Sequence, residues 1–145
     1  MARIMSIDYG LKRTGIAVTD TLQLIANGLD TVATHTLLDF LKTYFLTEEV
    51  EIVVIGEPHE LNGSDAPILP TIRAFARQLQ QNFPALKIVW QDERFTSAMA
   101  QRTIIQTVTK KKDRRDKGLT DRISAIIILQ EYLERKRLGN QTFEP

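Results

Sequence analysis

Apolar residues occur along this chain in two rhythms, and each rhythm predicts an element type. Ile4 to Ile7, inside the stretch RIMSIDYG, and Gly15 to Thr19 (GIAVT) are short β-rich runs. Tyr9-Gly10-Leu11-Lys12-Arg13-Thr14 joins them, which reads as a hairpin. A weaker third strand is expected near Leu29 to Ala33. Leu37, Leu38, Leu41, Tyr44 and Phe45 then recur at helical spacing and place one apolar stripe on a helix. Glu51 to Gly56 (EIVVIG) has consecutive β-branched residues without alternation, the pattern of a parallel strand covered on both faces by helices.

Pro58, Asn62-Gly63 and Pro67 mark a loop, and Ile72, Phe75, Ala76, Leu79 and Phe83 fit a second helix. Leu86 to Trp90 is the next strand, running into Gln91-Asp92-Glu93-Arg94. A helix capped by Thr96 or Ser97 should extend to about Ile105. The last helix is expected from about Thr120, burying Ile123, Ile126, Ile127, Leu129 or Gln130, and Leu133, and stopping near Gly139. The order βββαβαβα predicts an α/β fold. Its mixed five-stranded sheet has the first three strands antiparallel and the rest parallel, with helices flanking it.

Composition narrows the class without naming a function. A chain of 145 residues with 43% hydrophobic and 26% charged residues reads as one ordinary soluble domain, long enough to bury its own core. No apolar run reaches the roughly 18 to 20 residues of a membrane span, and Met1-Ala2-Arg3 leads into strand-like sequence without the pattern of a signal peptide. The absence of cysteine excludes disulfides and thiolate zinc sites and fits the cytoplasm. Net charge is only +1, but Lys110 to Lys117 holds six basic and two acidic residues with no apolar anchor. A mobile basic loop is therefore expected at about 108–119.

The candidate chemistry lies at strand ends. Asp8 ends the first strand, Glu57 follows the fourth, Asp92 and Glu93 end the fifth, and Asp121 falls in the first turn expected for the last helix. The carboxyl ends of strands form the functional crevice of α/β sheets. Clustered carboxylates repel one another unless protons or cations offset their charge. With no histidine or cysteine at these positions, oxygen ligands favour Mg²⁺ or Mn²⁺ over zinc. Each residue also has an ordinary reading. Asp8 and Glu57 suit turns, Asp92 and Glu93 can pair with Arg94, Asp121 suits the start of a helix dipole, and the basic run can be a solvated loop. His35 reads as structural and His59 as a candidate substrate contact. Coincidence at one sheet edge is what favours a metal site.

Four blocks of the sequence, "IDYGLKRTGIAVTD", "IVVIGEPHELNGS", "WQDERFTS" and "DRISAIIILQEYL", resemble in identity and order the signature blocks of the YqgF (RuvX) family of pre-16S rRNA nucleases and Holliday junction resolvases. The resemblance spans nearly the whole chain. It implies a ribonuclease H-like fold, a cytoplasmic location, metal-dependent phosphodiester hydrolysis and a role in maturing the 5′ end of small-subunit ribosomal RNA. Carried over by position, the family's acidic residues are Asp8, Glu93 and Asp121. Two positions depart from the pattern: Glu57 stands where an apolar residue is usual, and Met99 where Glu is frequent.

On this reading Asp8 is shared between two Mg²⁺ or Mn²⁺ ions, Glu93 and Asp121 hold one each, and Asp92 and Glu57 are additional candidate ligands. Arg94 contacts the scissile phosphate or steadies Asp92, while Lys12, Arg13 and Thr14 hold flanking phosphates. Lys110, Lys111, Lys112, Arg114, Arg115 and Lys117 attract the nucleic-acid backbone without reading sequence. The expected partner is nucleic acid, in particular ribosomal precursor RNA, with no membrane involvement and either a monomer or a homodimer.

Other classes compete. Four-way DNA is an alternative substrate, and a catalytically silent binder acting in ribosome assembly or transcription is an alternative role. The stretch DYGLKRTG also resembles the first phosphate loop of actin-like and sugar-kinase ATPases, but this chain has length for neither their second half nor an adenosine site.

Overall fold

The structure, a computed structural model, describes residues 2–59, 64–92 and 117–142, with side chains of the last segment described from 121 to 138. Strands β1 (Arg3–Asp8), β2 (Arg13–Thr19) and β3 (Ala26–Ala33) come first. A 3₁₀ turn (Thr34–Thr36), α1 (Leu37–Thr47), β4 (Val50–Glu57), α2 (Leu69–Asn82) and β5 (Lys87–Asp92) follow, and the last described element is α3 (Lys117–Thr142). One five-stranded sheet has the order β3-β2-β1-β4-β5. The pairs β1/β2 and β2/β3 are antiparallel, and β1/β4 and β4/β5 are parallel. The mixed sheet expected from the pattern is therefore present.

The central strands show why the pattern lacked alternation. Met5 and Ile7 of β1 and Val53 and Ile55 of β4 pack with Leu37 and Leu41 of α1 and Leu69, Ile72 and Leu79 of α2. Ile4 of β1 and Ile52 and Val54 of β4 point the other way, onto Ala125, Ile128, Leu129 and Tyr132 of α3. Successive strand residues face opposite sides, so a sheet roofed by helices on both faces needs apolar side chains at every position. Full burial of one such side chain is worth about 1.5 to 3 kcal/mol, which fixes the register of each strand against both layers.

The last helix differs from expectation at its start. It is already helical at Lys117, so 117–119 are helical rather than part of the basic loop, and Asp121 sits past the first turn. Once a long apolar helix is nucleated, adding residues at its end fixes one residue per hydrogen bond and costs little. The remainder of the expected loop and the helix expected from Thr96 or Ser97 lie outside the described residues.

Candidate active site

Asp8 and Asp121 come from opposite ends of the chain and meet on the α3 face of the sheet. On β1 the even positions face α3: Ile4 packs on that helix, and the buried Ser6 hydroxyl donates to the Ala125 carbonyl at 2.6 Å. Asp8 continues the same side. Gly15 of β2 is its cross-strand partner. A Cβ at position 15 would overlap the backbone carbonyl of Asp121, so only glycine lets α3 approach here. Ser6 and Gly15 thus set how far α3 stands from β1, and with it the spacing of the two carboxylates.

The electrostatics of the pair are unusual. Burial and, after it, the negative charge of Asp121 push the Asp8 carboxyl from its ordinary 3.8 up to about 7. Asp121 accepts a hydrogen bond from Arg13 Nε at 3.1 Å. One acid is held by a proton and the other by a guanidinium, which are the two ways two facing carboxylates reduce their repulsion without a metal. An all-oxygen donor pair of this kind fits a hard divalent cation. Among the described residues no three His, Cys, Asp or Glu side chains form a metal-binding group; Glu93, the third expected ligand, lies outside them, as does Arg94. The position of Asp121 beyond the first turn also removes the helix-start reading, because the helix-dipole effect fades within that turn.

The other two acidic candidates are not brought to this pair. Glu57 and Asp92 are register partners at the ends of β4 and β5. They follow Ile55 and Trp90 two residues on, and both of those pack with α1 and α2. Their side of the sheet is therefore opposite to Asp8. Glu57 Oε1 lies 3.0 Å from His59 Nε2, Asp65 Oδ1 lies 3.3 Å from His59 Nδ1, and Arg73 reaches Asp65 at 3.5 Å. The hydrogen bond to Glu57, reinforced by the charges of Glu57, Asp92 and Asp65, raises the His59 pKa. Here acids are offset by a histidine and an arginine of the chain itself.

The expected phosphate contacts separate in the same way. Lys12 is exposed at the hairpin, and Arg13, also exposed, is engaged with Asp121. Thr14 corrects the expectation: its side chain is fully buried and its hydroxyl pairs with Thr34 Oγ1 at 2.8 Å, so it braces the hairpin instead of meeting a phosphate. The inward residue follows from strand alternation, since β2 already begins at Arg13. Lys110, Lys111, Lys112, Arg114 and Arg115 are outside the described residues, and Lys117 is described only by its helical backbone. His35, read as structural, is exposed. Sequence reasoning missed Ser6 and Gly15, although a hydroxyl inside IMSI and a glycine opening GIAV are the local signals of a buried partner and a close approach.

A family model described as RuvX, Holliday junction resolvase, matches residues 2–135. The chain belongs to the RuvX family of nucleases. A Flavobacterium johnsoniae protein named "Putative pre-16S rRNA nuclease" is 54% identical over 137 residues, covering 94% of this chain and 99% of that one. A Bacteroides thetaiotaomicron protein of the same name is 55% identical over 137 residues, again covering 94% and 99%. The structure of T. thermophilus RuvC in complex with Holliday junction substrate superposes with a TM-score of 0.53 at 15% identity, covering 88% of this RuvX chain and 92% of that one. That likeness concerns the fold, which is ribonuclease H-like.

Proposed function

We propose that this RuvX protein is a cytoplasmic, divalent-metal-dependent nuclease that hydrolyses phosphodiester bonds in 5′-end processing of pre-16S ribosomal RNA. The observation that carries the reading is the pairing of Asp8 and Asp121, with the Asp8 carboxyl raised to about 7 and the Asp121 carboxylate held by Arg13. Asp8, Asp121 and Glu93 are the ligand set, and Mg²⁺ or Mn²⁺, as two ions, the cofactor. A bound divalent ion lowers the pKa of a water toward neutrality and neutralises charge on the attacking and leaving oxygens.

The chain's own residues do the rest. Asp8 and Asp121 would hold a divalent ion in place of the proton on Asp8 and the guanidinium on Asp121, and Arg13 beside Lys12 is the residue for a flanking phosphate. Ser6 and Gly15 hold the two carboxylates at a fixed separation throughout. Arg94 serves the scissile phosphate, while Lys110, Lys111, Lys112, Arg114, Arg115 and Lys117 add sequence-independent attraction to the backbone. Glu57 stays with His59, which Asp65 also meets, on the opposite face of the sheet.

Pre-16S processing is supported by the names of relatives more than half identical over nearly the full chain. Four-way DNA is the second substrate reading, favoured by the description of the family model. A labelled ribosomal precursor RNA and a four-way DNA junction, each incubated with the protein in Mg²⁺ or Mn²⁺, decide between them. Cleavage of RNA alone is the expected result. Cleavage that persists in Asp8→Asn would overturn the assignment of the site.

A further inference from the structure

Tyr9 follows Asp8 in the chain and packs on the other face of the sheet. Its ring lies against Phe75 of α2, with centroids 5.3 Å apart and planes at 38°. Both rings line an open cleft of about 440 Å³, whose other walls include Thr34, His35, Asp39 and Gln78. A volume of this order falls within the roughly 300 to 1,000 Å³ of small-molecule sites.

The lining decides which ligand fits. Among the described residues it contains no lysine or arginine and does contain the carboxylate of Asp39, which disfavours a phosphate. It combines aromatic surface with an exposed carboxylate, amide and imidazole, the groups that meet the face and the edge of a nucleobase. The wall beside Tyr9 is anchored to the hairpin that follows Asp8. The Thr34 hydroxyl donates to the Gly10 carbonyl at 2.7 Å, and the Thr34 N–H donates to the Lys12 carbonyl at 2.9 Å. The cleft and the carboxylate pair therefore share one turn of backbone and lie on two sides of one sheet edge.

We infer that this cleft is a subsite for one unpaired nucleobase next to the scissile phosphate, with the base face on Tyr9 and the base edge toward Asp39 and Gln78. The inference deepens the nuclease reading above and rests on it for the identity of the strand. A strand that crosses the edge of β1 leaves its phosphate on the Asp8 side and turns a neighbouring base into the cleft. A base within a duplex has its faces and its pairing edge occupied, so the subsite favours single-stranded or splayed nucleotides at the cut.

The test is an abasic scan. Binding of the full chain to a short labelled single-stranded RNA is measured in EDTA, followed by the same RNA carrying one abasic nucleotide at each position in turn. Loss of a single base is expected to weaken binding about 5- to 150-fold, the equivalent of the roughly 1 to 3 kcal/mol of a base stacked on an aromatic ring. Tyr9→Ala should weaken the intact RNA to the same extent and remove the abasic penalty, while Tyr9→Phe restores both. A flat scan on the unaltered protein overturns the subsite, as does a penalty that survives Tyr9→Ala.

If Tyr9→Ala does not fold, Asp39→Ala and Gln78→Ala at exposed positions replace it, and a penalty unchanged in both overturns the subsite. Cleavage is read separately. A flat scan together with metal-dependent cleavage lost in Asp8→Asn removes the subsite and keeps the nuclease. A base-dependent scan without any cleavage keeps the subsite and removes the nuclease.

Discussion

The carboxyl edge of the sheet carries acids on both faces, and the two faces treat their charge differently. Toward α2, Glu57, Asp65 and Asp92 surround His59 while Arg73 reaches Asp65, so cationic groups of the chain answer the acids. Toward α3, Asp8 and Asp121 face each other; among the described residues Arg13 pairs with Asp121, and Asp8 answers by keeping its proton up to about pH 7. An acid at a strand end is thus no marker of a metal site. The marker is an acid whose charge the fold brings together with another and does not fully offset.

The largest effect that could break this contrast is catalytic. Asp8→Asn is expected to lower cleavage by at least about 10²-fold, the scale of losing one group that stabilises charge in a transition state. It should also abolish any rise in melting temperature on adding Mg²⁺ or Mn²⁺, since only a ligand of the folded state produces that rise. Glu57→Gln should keep both cleavage and the metal-induced rise. If the two variants exchanged behaviour, the assignment of the α3 face would fail.

The next effect is on geometry. Gly15→Ala puts a Cβ into the Asp121 carbonyl, and overpacking of this kind costs about 1 to 3 kcal/mol. The helix can escape by lifting off the sheet at β2, which also moves Asp121 relative to Asp8, so cleavage should fall more than folding does. Chemical denaturation and a cleavage assay on the same preparation measure both. Parental cleavage in a destabilised Gly15→Ala would show that the spacing of α3 from β1 does not set the site.

The pH dependence of stability, measured without divalent ions, separates the faces further. The Asp8 pKa is raised on folding, so the folded state holds the extra proton between 3.8 and about 7. Stability from this group is full below about 3.8 and is lost as pH rises to about 7, by at most on the order of 4 kcal/mol. Asp8→Asn should flatten that interval. His59 is also raised on folding. Its contribution is full below 6.5 and is lost as pH climbs through the raised value, and His59→Gln should remove only this later decline. Urea midpoints taken across the pH range test both. A slope below pH 6 that persists in Asp8→Asn would assign the buried proton elsewhere.

The smallest effect is expected from Arg73→Ala. Its pair with Asp65 is exposed on both sides, and such pairs contribute about 0 to 1 kcal/mol. Cleavage should be unchanged. A large loss of activity would mean that the α2 face takes part in the chemistry.

Local pattern was enough to read the sheet and the described helices. Apolar periodicity depends on neighbours a few residues apart, and EIVVIG could be read as a two-faced strand because Ile52 and Val54 meet α3 while Val53 and Ile55 meet α1 and α2. The motif blocks likewise pointed to Asp8 and Asp121 and to the nuclease family. The hairpin at 9–14 was legible too, but the direction of Thr14 was not, since one residue of strand extension reverses a side chain. Which acids share a face was set by packing between distant segments. Glu57 and Asp8 both lie at the same edge, yet strand parity sends them to opposite sides of the sheet. Tertiary packing also decided that Asp121 stands past the first turn of its helix, and that Ser6 and Gly15 bring that helix close enough for one proton to be kept on Asp8. Those outcomes depend on contacts between residues far apart in the chain, where burial and charge add together, and no local pattern encodes that sum.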